Sequence, residues 1–171
     1  YKDSCGCYIR SEIWACLAPG NPELAARYAY EDAIVDHEGE GMYGEIFFAA
    51  LQSAAFVESD KRKLIDIGLS YIPEESVTAA AIKKAIECYD SHVEFTEARR
   101  QIHNAAPGTF GIQGGTLQEI PVEGNEGMEI GAPGFDAPEN VAFTIAGWLD
   151  GEEDVGKSLC LAVACGAATA C

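Results

Sequence analysis

The apolar residues of this chain recur at the spacing of an α-helix, and this pattern limits the possible fold more than any other feature. A helix is buried through apolar residues three or four positions apart, whereas a half-buried strand needs strict alternation. The helical spacing is found in these segments: 8–18, 22–36, 43–56, 60–71, 73–91, 93–103, 138–149 and 155–165. Strand patterns are scarce, and no repeat of fixed period is present. We therefore predict a single all-α domain of about seven helices packed as a bundle.

Residues that are typical of helix starts support the first residues of several predicted helices. Asn21 before Pro22 predicts an N-cap followed by proline at the first helical position. Ser59 or Asp60 can cap the helix predicted at 60–71, and Pro73 with two following glutamates predicts the start of another.

The segment 104–136 differs in composition from the rest of the chain. It is rich in glycines and acidic residues and has no helical periodicity. Connections of this length inside a compact domain are uncommon and are usually functional or mobile. We predict a long loop, lid or insertion here.

The charge of the chain excludes some classes of partner. Among 171 residues, Lys and Arg number 11 and Asp and Glu 28, which gives a formal net charge of −17. Such a field repels phosphate backbones, so we expect neither nucleic acid nor an anionic membrane as a partner. No apolar run reaches the length of a membrane span.

The seven cysteines do not form the pattern of a disulfide scaffold or of a zinc site. A chain of this length can form a core without disulfides, and several cysteines lie in helical apolar runs. Cys5 and Cys7 are the only close pair, and they lack the second Cys or His pair that zinc spacing needs. A reducing cytoplasm is the expected compartment.

Of the three histidines, His37 is the best candidate for a functional role. It follows a predicted helix, lies beside Asp36 and Glu38, and precedes a glycine-rich turn. A loop histidine beside carboxylates can contact a ligand or act as a general acid or base. A helix C-cap is the competing interpretation, and from the residues alone it is the stronger one. His92 and His103 are expected at the surface or in caps. Neither a phosphate-binding loop nor a nucleophile elbow is present.

Three segments, taken in order, give the chain a resemblance to a known family. They are Cys7–Trp14 with Leu17–Gly20; Asn21–Ala33 with Asp36–Tyr43 and Phe48–Leu51; and Glu139–Phe143 with Gly147–Gly151 and Lys157–Val163. Together they are similar to the ADP-ribosylglycohydrolase family, the group that includes dinitrogenase-reductase-activating glycohydrolase and the J1 crystallins. The segment 104–136 matches least.

The resemblance implies a fold, a reaction and a site. It implies an all-α orthogonal bundle, here the C-terminal portion of a longer protein and incomplete at both ends. It implies a cofactor of two Mg²⁺ or Mn²⁺ ions, with hydrolysis of the bond between ADP-ribose and an acceptor such as arginine, on a protein or a small molecule. The implied substrate-binding residues are His37, Gly39, Gly41 and Tyr43.

The chain departs from this family at the C-terminal metal motif. The metal-ligand positions of the motif fall on Ala168, Ala170 and Cys171, and a methyl group cannot bind a cation. The other acidic cluster of the family would precede Tyr1. We therefore expect the longer protein to be the enzyme and this chain alone to be inactive.

Three origins of the alanines stay open: larger side chains at a poorly ordered terminus were truncated to alanine, the alanines were introduced deliberately, or they belong to a natural pseudoenzyme. The first is the favoured hypothesis, and the intact mass would test it. A non-catalytic ADP-ribose-binding or crystallin-like structural protein is the main alternative function. A helical interaction domain unrelated to the family is a third reading.

Overall fold

The computed structural model describes residues 3–106 and 136–165. In these ranges the chain forms a short 3₁₀ turn at Tyr8–Arg10 and eight α-helices, rather than about seven, with no strand. The helices are α1 Ser11–Leu17, α2 Pro22–Ala33, α3 Glu40–Ala54, α4 Lys61–Leu69, α5 Val77–Asp90, α6 Phe95–Ala105, α7 Ala137–Asp150 and α8 Val155–Ala164. The all-α prediction is confirmed.

The predicted caps of two helices are present, and one predicted helix start is wrong. The Asn21 side chain accepts a hydrogen bond from the Leu24 N–H, and Asp60 accepts from the first turn of α4. Helix α5 begins at Val77 rather than near Pro73, because Ser76 caps it by accepting from the Ala79 N–H. Pro73 and the two acids after it form the turn before α5, in which the Ser76 N–H donates to the Pro73 carbonyl.

Helices α3 and α7 form the centre of the core. Phe47 of α3 and Phe143 of α7 are fully buried. Helix α2 packs on α3, while α5 and α8 pack on α7. Gly147 allows the close approach of α8, since a Cβ built there would lie 2.6 Å from the backbone nitrogen of Ala162.

The starts of three helices lie close together. The Glu40 carboxylate at the start of α3 accepts from the N–H groups of Val77 and Thr78 at the start of α5. A Cβ at Gly44, one turn into α3, would contact Ala137 at the start of α7. The chain before α1 joins this region, because the Ala137 N–H donates to the Asp3 carbonyl. Functional residues of distant sequence positions are thereby brought together.

The burial of α8 and α1 and the last residue of α6 differ from what the apolar pattern of the sequence suggests. Helix α8, although strongly apolar, has no buried residue, and Ile13 and Leu17 of α1 are exposed. Helix α6 extends to Ala105, so the start of the predicted 104–136 loop is helical, and residues 107–135 lie outside the described part of the chain. No helix in the described ranges is long and apolar enough to cross a membrane.

Candidate functional site

His37 lies in the turn between α2 and α3 and is buried, with 8% of its surface exposed. Its N–H donates to the Ala33 carbonyl, which closes the end of α2, as the helix-cap interpretation predicts. Its imidazole Nδ1 lies 2.8 Å from Oδ1 of Asp36. A carboxylate at one ring nitrogen fixes the orientation of the ring. His37 is therefore both a cap through its backbone and a buried, oriented imidazole.

Arg10 joins the chain before α1 to this turn. Its guanidinium donates to both carboxylate oxygens of Asp36, at 2.8 and 3.3 Å, and its Nε donates to Asp32. The hydrogen bond from Arg10 holds the pKa of Asp36 well below its usual range. Asp36 is thus an anion at neutral pH. The resemblance covered this arginine, but only the fold showed that it pairs with the residue beside His37.

A buried carboxylate and a buried thiol extend the site. Glu45 of α3 is fully buried and accepts from Nε1 of Trp14 at 2.8 Å and from Sγ of Cys7. Burial raises the pKa of Glu45 to about 7, and burial together with Glu45 raises the pKa of the Cys7 thiol. Sequence reasoning missed both residues, because a glutamate inside an apolar helix gave no signal other than its unusual position.

Cys7, Asp36 and His37 lie close enough to share an ion. One donor atom of each residue lies within 4.8 Å of the donor atoms of the other two. Among the described residues, these three form the group of side chains that could hold a metal ion. The partners of Cys7 are therefore Asp36 and His37 rather than Cys5. No disulfide joins any two of the six cysteines in those ranges.

The other substrate residues implied by the resemblance follow His37 along the chain. Gly39 has a φ of +59°, a conformation that favours glycine, and it precedes the first residue of α3 without any side-chain cap. Gly41 is buried and Tyr43 is half-buried in the first turn. In the part of the chain that the structure describes, the first backbone N–H groups of α3 thus have no side-chain cap from their N-cap residue.

A second buried polar cluster lies between α6 and α7. His103 was expected at the surface or in a cap; it lies in the last turn of α6 but is only 8% exposed, and its Nδ1 lies 2.5 Å from a carboxylate oxygen of the buried Glu139. The neighbouring Asn140 is fully buried, and its Oδ1 has no hydrogen-bond partner among the residues that the structure describes. His103 and Glu139 lie on different helices, and nothing in the sequence indicated that their side chains are in contact.

The remaining predicted site residues, Ala168, Ala170 and Cys171, lie outside the described ranges. Their residue types do not fit two hard cations, because alanine has no donor atom and thiolate sulfur is a poor ligand for Mg²⁺. A groove of about 420 Å³ between α4, α7 and α8 contains Trp148 and Leu159, and residues of the His37 turn do not line it.

The fold and site define an all-helical protein in which a buried histidine precedes the glycine-rich start of a core helix. The family model for ADP-ribosylglycohydrolase matches residues 2–171, and the chain belongs to the ADP-ribosylglycohydrolase family. The members of this family are generally metal-dependent and act on ADP-ribosylated substrates. Searches of curated proteins and of solved structures gave no match.

Proposed function

We propose that this chain contains the ribose-contacting part of an ADP-ribosylglycohydrolase site, formed by His37, Gly39, Gly41 and Tyr43. The family match over residues 2–171 supports the substrate class. The single structural observation that supports the position is the buried His37 imidazole, oriented by Asp36 directly before the uncapped start of α3. A fixed imidazole can donate to or accept from a sugar hydroxyl.

The N-terminus of α3 gives a second reason to expect that an ADP-ribose unit binds beside His37. Helix N-termini carry partial positive charge and exposed N–H groups, which favour the negative charge of a diphosphate. Gly39 allows the backbone to approach a ligand closely because it has no side chain. The side chains beside His37 carry more carboxylates than cations, so the N–H groups of α3, rather than an excess of positive charge, would bind the diphosphate.

The proposed reaction is hydrolysis of the glycosidic bond between ADP-ribose and an acceptor such as arginine. In the family, the metal pair would polarise sugar hydroxyls and activate water when it is bound. The alanines at 168 and 170 cannot supply oxygen ligands, so no step through the metal is assigned to this chain. These alanines favour a second candidate function, binding of ADP-ribose without hydrolysis.

Calorimetry with ADP-ribose and a hydrolysis assay with ADP-ribosyl-arginine in Mg²⁺ test both candidates. We expect the chain to bind ADP-ribose without releasing it from arginine, and we expect His37→Asn to weaken binding at least about tenfold, the loss of one good hydrogen bond in a buried site. His92→Asn is the matched control, because His92 is exposed and asparagine tolerates its positive φ.

The results of the binding and hydrolysis assays distinguish the two candidate functions. No binding by the unmodified chain would overturn the proposed function. Release of ADP-ribose by the chain as printed would contradict its predicted inactivity and establish an enzyme that does not need carboxylates at 168 and 170.

A further inference from the structure

We propose that Cys7, Asp36 and His37 form a binding site for one borderline divalent metal ion of the Zn²⁺ type. The proposal concerns residues of the described chain and a donor set of sulfur, nitrogen and oxygen. It does not depend on the proposed function.

The geometry of the three donors is close to that of a metal site. Donors that bind one Zn²⁺ at 2.0–2.3 Å with tetrahedral angles lie about 3.4–3.6 Å from one another. Here the donor atoms lie within 4.8 Å of one another, so closure about an ion needs a movement on the order of 1 Å. Cys7 precedes the 3₁₀ turn, and the other two follow α2, so the site would join two separate segments of the chain.

The residue types select the class of metal. A thiolate and an imidazole are preferred ligands of Zn²⁺ and of similar transition metals, whereas Mg²⁺ prefers oxygen alone. Cys7 and His37 are both buried, which excludes much of the competing water. Three protein ligands leave a fourth position for water or for a ligand.

Neighbouring groups can hold the ligands in place. The 2.8 Å contact between Nδ1 of His37 and Oδ1 of Asp36 places two of the three donors side by side. An ion bound there through Nδ1 would replace this contact, with the ring proton on Nε2, which lies on the side of Gly6, the residue before Cys7. A carboxylate has about four lone-pair positions, so Asp36 can keep its contact with Arg10 and still bind an ion.

The local charge favours a cation. Three carboxylates surround the Cys7 thiol and the Arg10 guanidinium: Asp32, Asp36 and Glu45. One arginine does not balance Asp32, Asp36 and the thiolate that metal binding creates, and a divalent ion would. Binding breaks the S–H bond of Cys7 and forms a sulfur–metal bond, and the proton passes to Oε2 of Glu45, which already accepts from that thiol, or to water.

Cobalt titration tests the site directly, because a thiolate bound to Co²⁺ gives an absorption band in the near ultraviolet. The protein is freed of metal with EDTA. Cys16 and Cys160, the exposed thiols of the described ranges, are replaced by serine together with Cys171, which lies outside those ranges, to remove binding by other thiols. We expect one Co²⁺ per chain with a thiolate band and tetrahedral visible bands, and we expect one equivalent of Zn²⁺ to remove both.

Variants of the ligands and one matched control complete the experiment. Cys7→Ser should remove the thiolate band, and Asp36→Asn should weaken Co²⁺ binding at least about tenfold. Cys5→Ser is the control, because Cys5 is also buried but is not one of the clustered donors, and it should keep the band. Far-UV circular dichroism checks the fold of each variant. If Cys7→Ser does not fold, His37→Asn is tested in its place and should also weaken Co²⁺ binding.

The proposal is overturned if the unmodified donors give no thiolate band, if the band persists in folded Cys7→Ser, or if Cys5→Ser removes it equally. Failure of ADP-ribose binding together with a normal cobalt spectrum would remove the proposed function and leave the metal site standing.

Discussion

Replacement of Glu45 by glutamine should change how the stability of the protein depends on pH. Glu45 is fully buried, and burial raises its pKa from 4.5 to about 7. The charged and titratable groups around it are Cys7, Arg10 and Asp32. Between the two pKa values the folded protein keeps a proton on Glu45 that the unfolded chain has lost. Stability from this group is therefore present below pH 4.5 and is lost as the pH rises through 7.

The size of the effect follows from the two pKa values. Each pKa unit corresponds to 1.36 kcal/mol, so the change from 4.5 to about 7 is worth on the order of 3 kcal/mol. Glutamine has nearly the same shape, can accept from Trp14 and does not ionise. The free energy of unfolding of Glu45→Gln relative to the unmodified protein should therefore rise by about 2–3 kcal/mol between pH 5 and pH 8.

Urea unfolding at four pH values, followed by circular dichroism in EDTA, measures this difference. The range starts at pH 5 because the isoelectric point is about 4.3, where solubility is lowest. Glu12→Gln is the control, since Glu12 is exposed in α1 and its replacement should leave the pH profile unchanged. Parallel profiles for Glu45→Gln and the unmodified protein would refute the reasoning about burial.

Three further predictions concern packing, capping and competition. Gly147→Ala should destabilise the protein by about 1–3 kcal/mol in urea unfolding, because the new Cβ meets the Ala162 backbone, whereas Gly156→Ala, which meets only one side-chain oxygen at 3.3 Å, should be nearly neutral. Glu40→Ala should cost about 1–2 kcal/mol in the same measurement, since Glu40 caps α5 through the N–H groups of Val77 and Thr78; an unchanged midpoint would mean that water replaces the cap. If one imidazole serves both proposed ligands, Zn²⁺ should weaken ADP-ribose binding in calorimetry and Mg²⁺ should not, and equal effects of the two ions would contradict this.

The helices could be predicted because local signals and core packing agree. Asn21 and Asp60 cap the helices that they were expected to cap. The start of α5 was predicted wrongly, because Pro73 is a stronger local signal than Ser76 but lies in the turn before the helix. Helix α8 is strongly apolar but has no buried residue, because burial depends on what packs against a helix and its own sequence does not contain that information.

The candidate site could be predicted only in part. His37 was identifiable from its neighbours, Asp36 and the glycines that follow. The contacts of Cys7 with Glu45 and of His103 with Glu139 join residues more than 30 positions apart, and they depend on how the helices cross. The metal positions at 168 and 170 come from the family resemblance, and their role stays a prediction.

The central claim is that the His37 turn contacts an ADP-ribose unit, and the proton resonances of the His37 ring test it most directly. In an NMR titration with ADP-ribose, the account predicts saturable shifts of the His37 ring resonances, with those of the exposed His92 unchanged. Saturable binding measured in the same sample without any change at His37 would contradict the account.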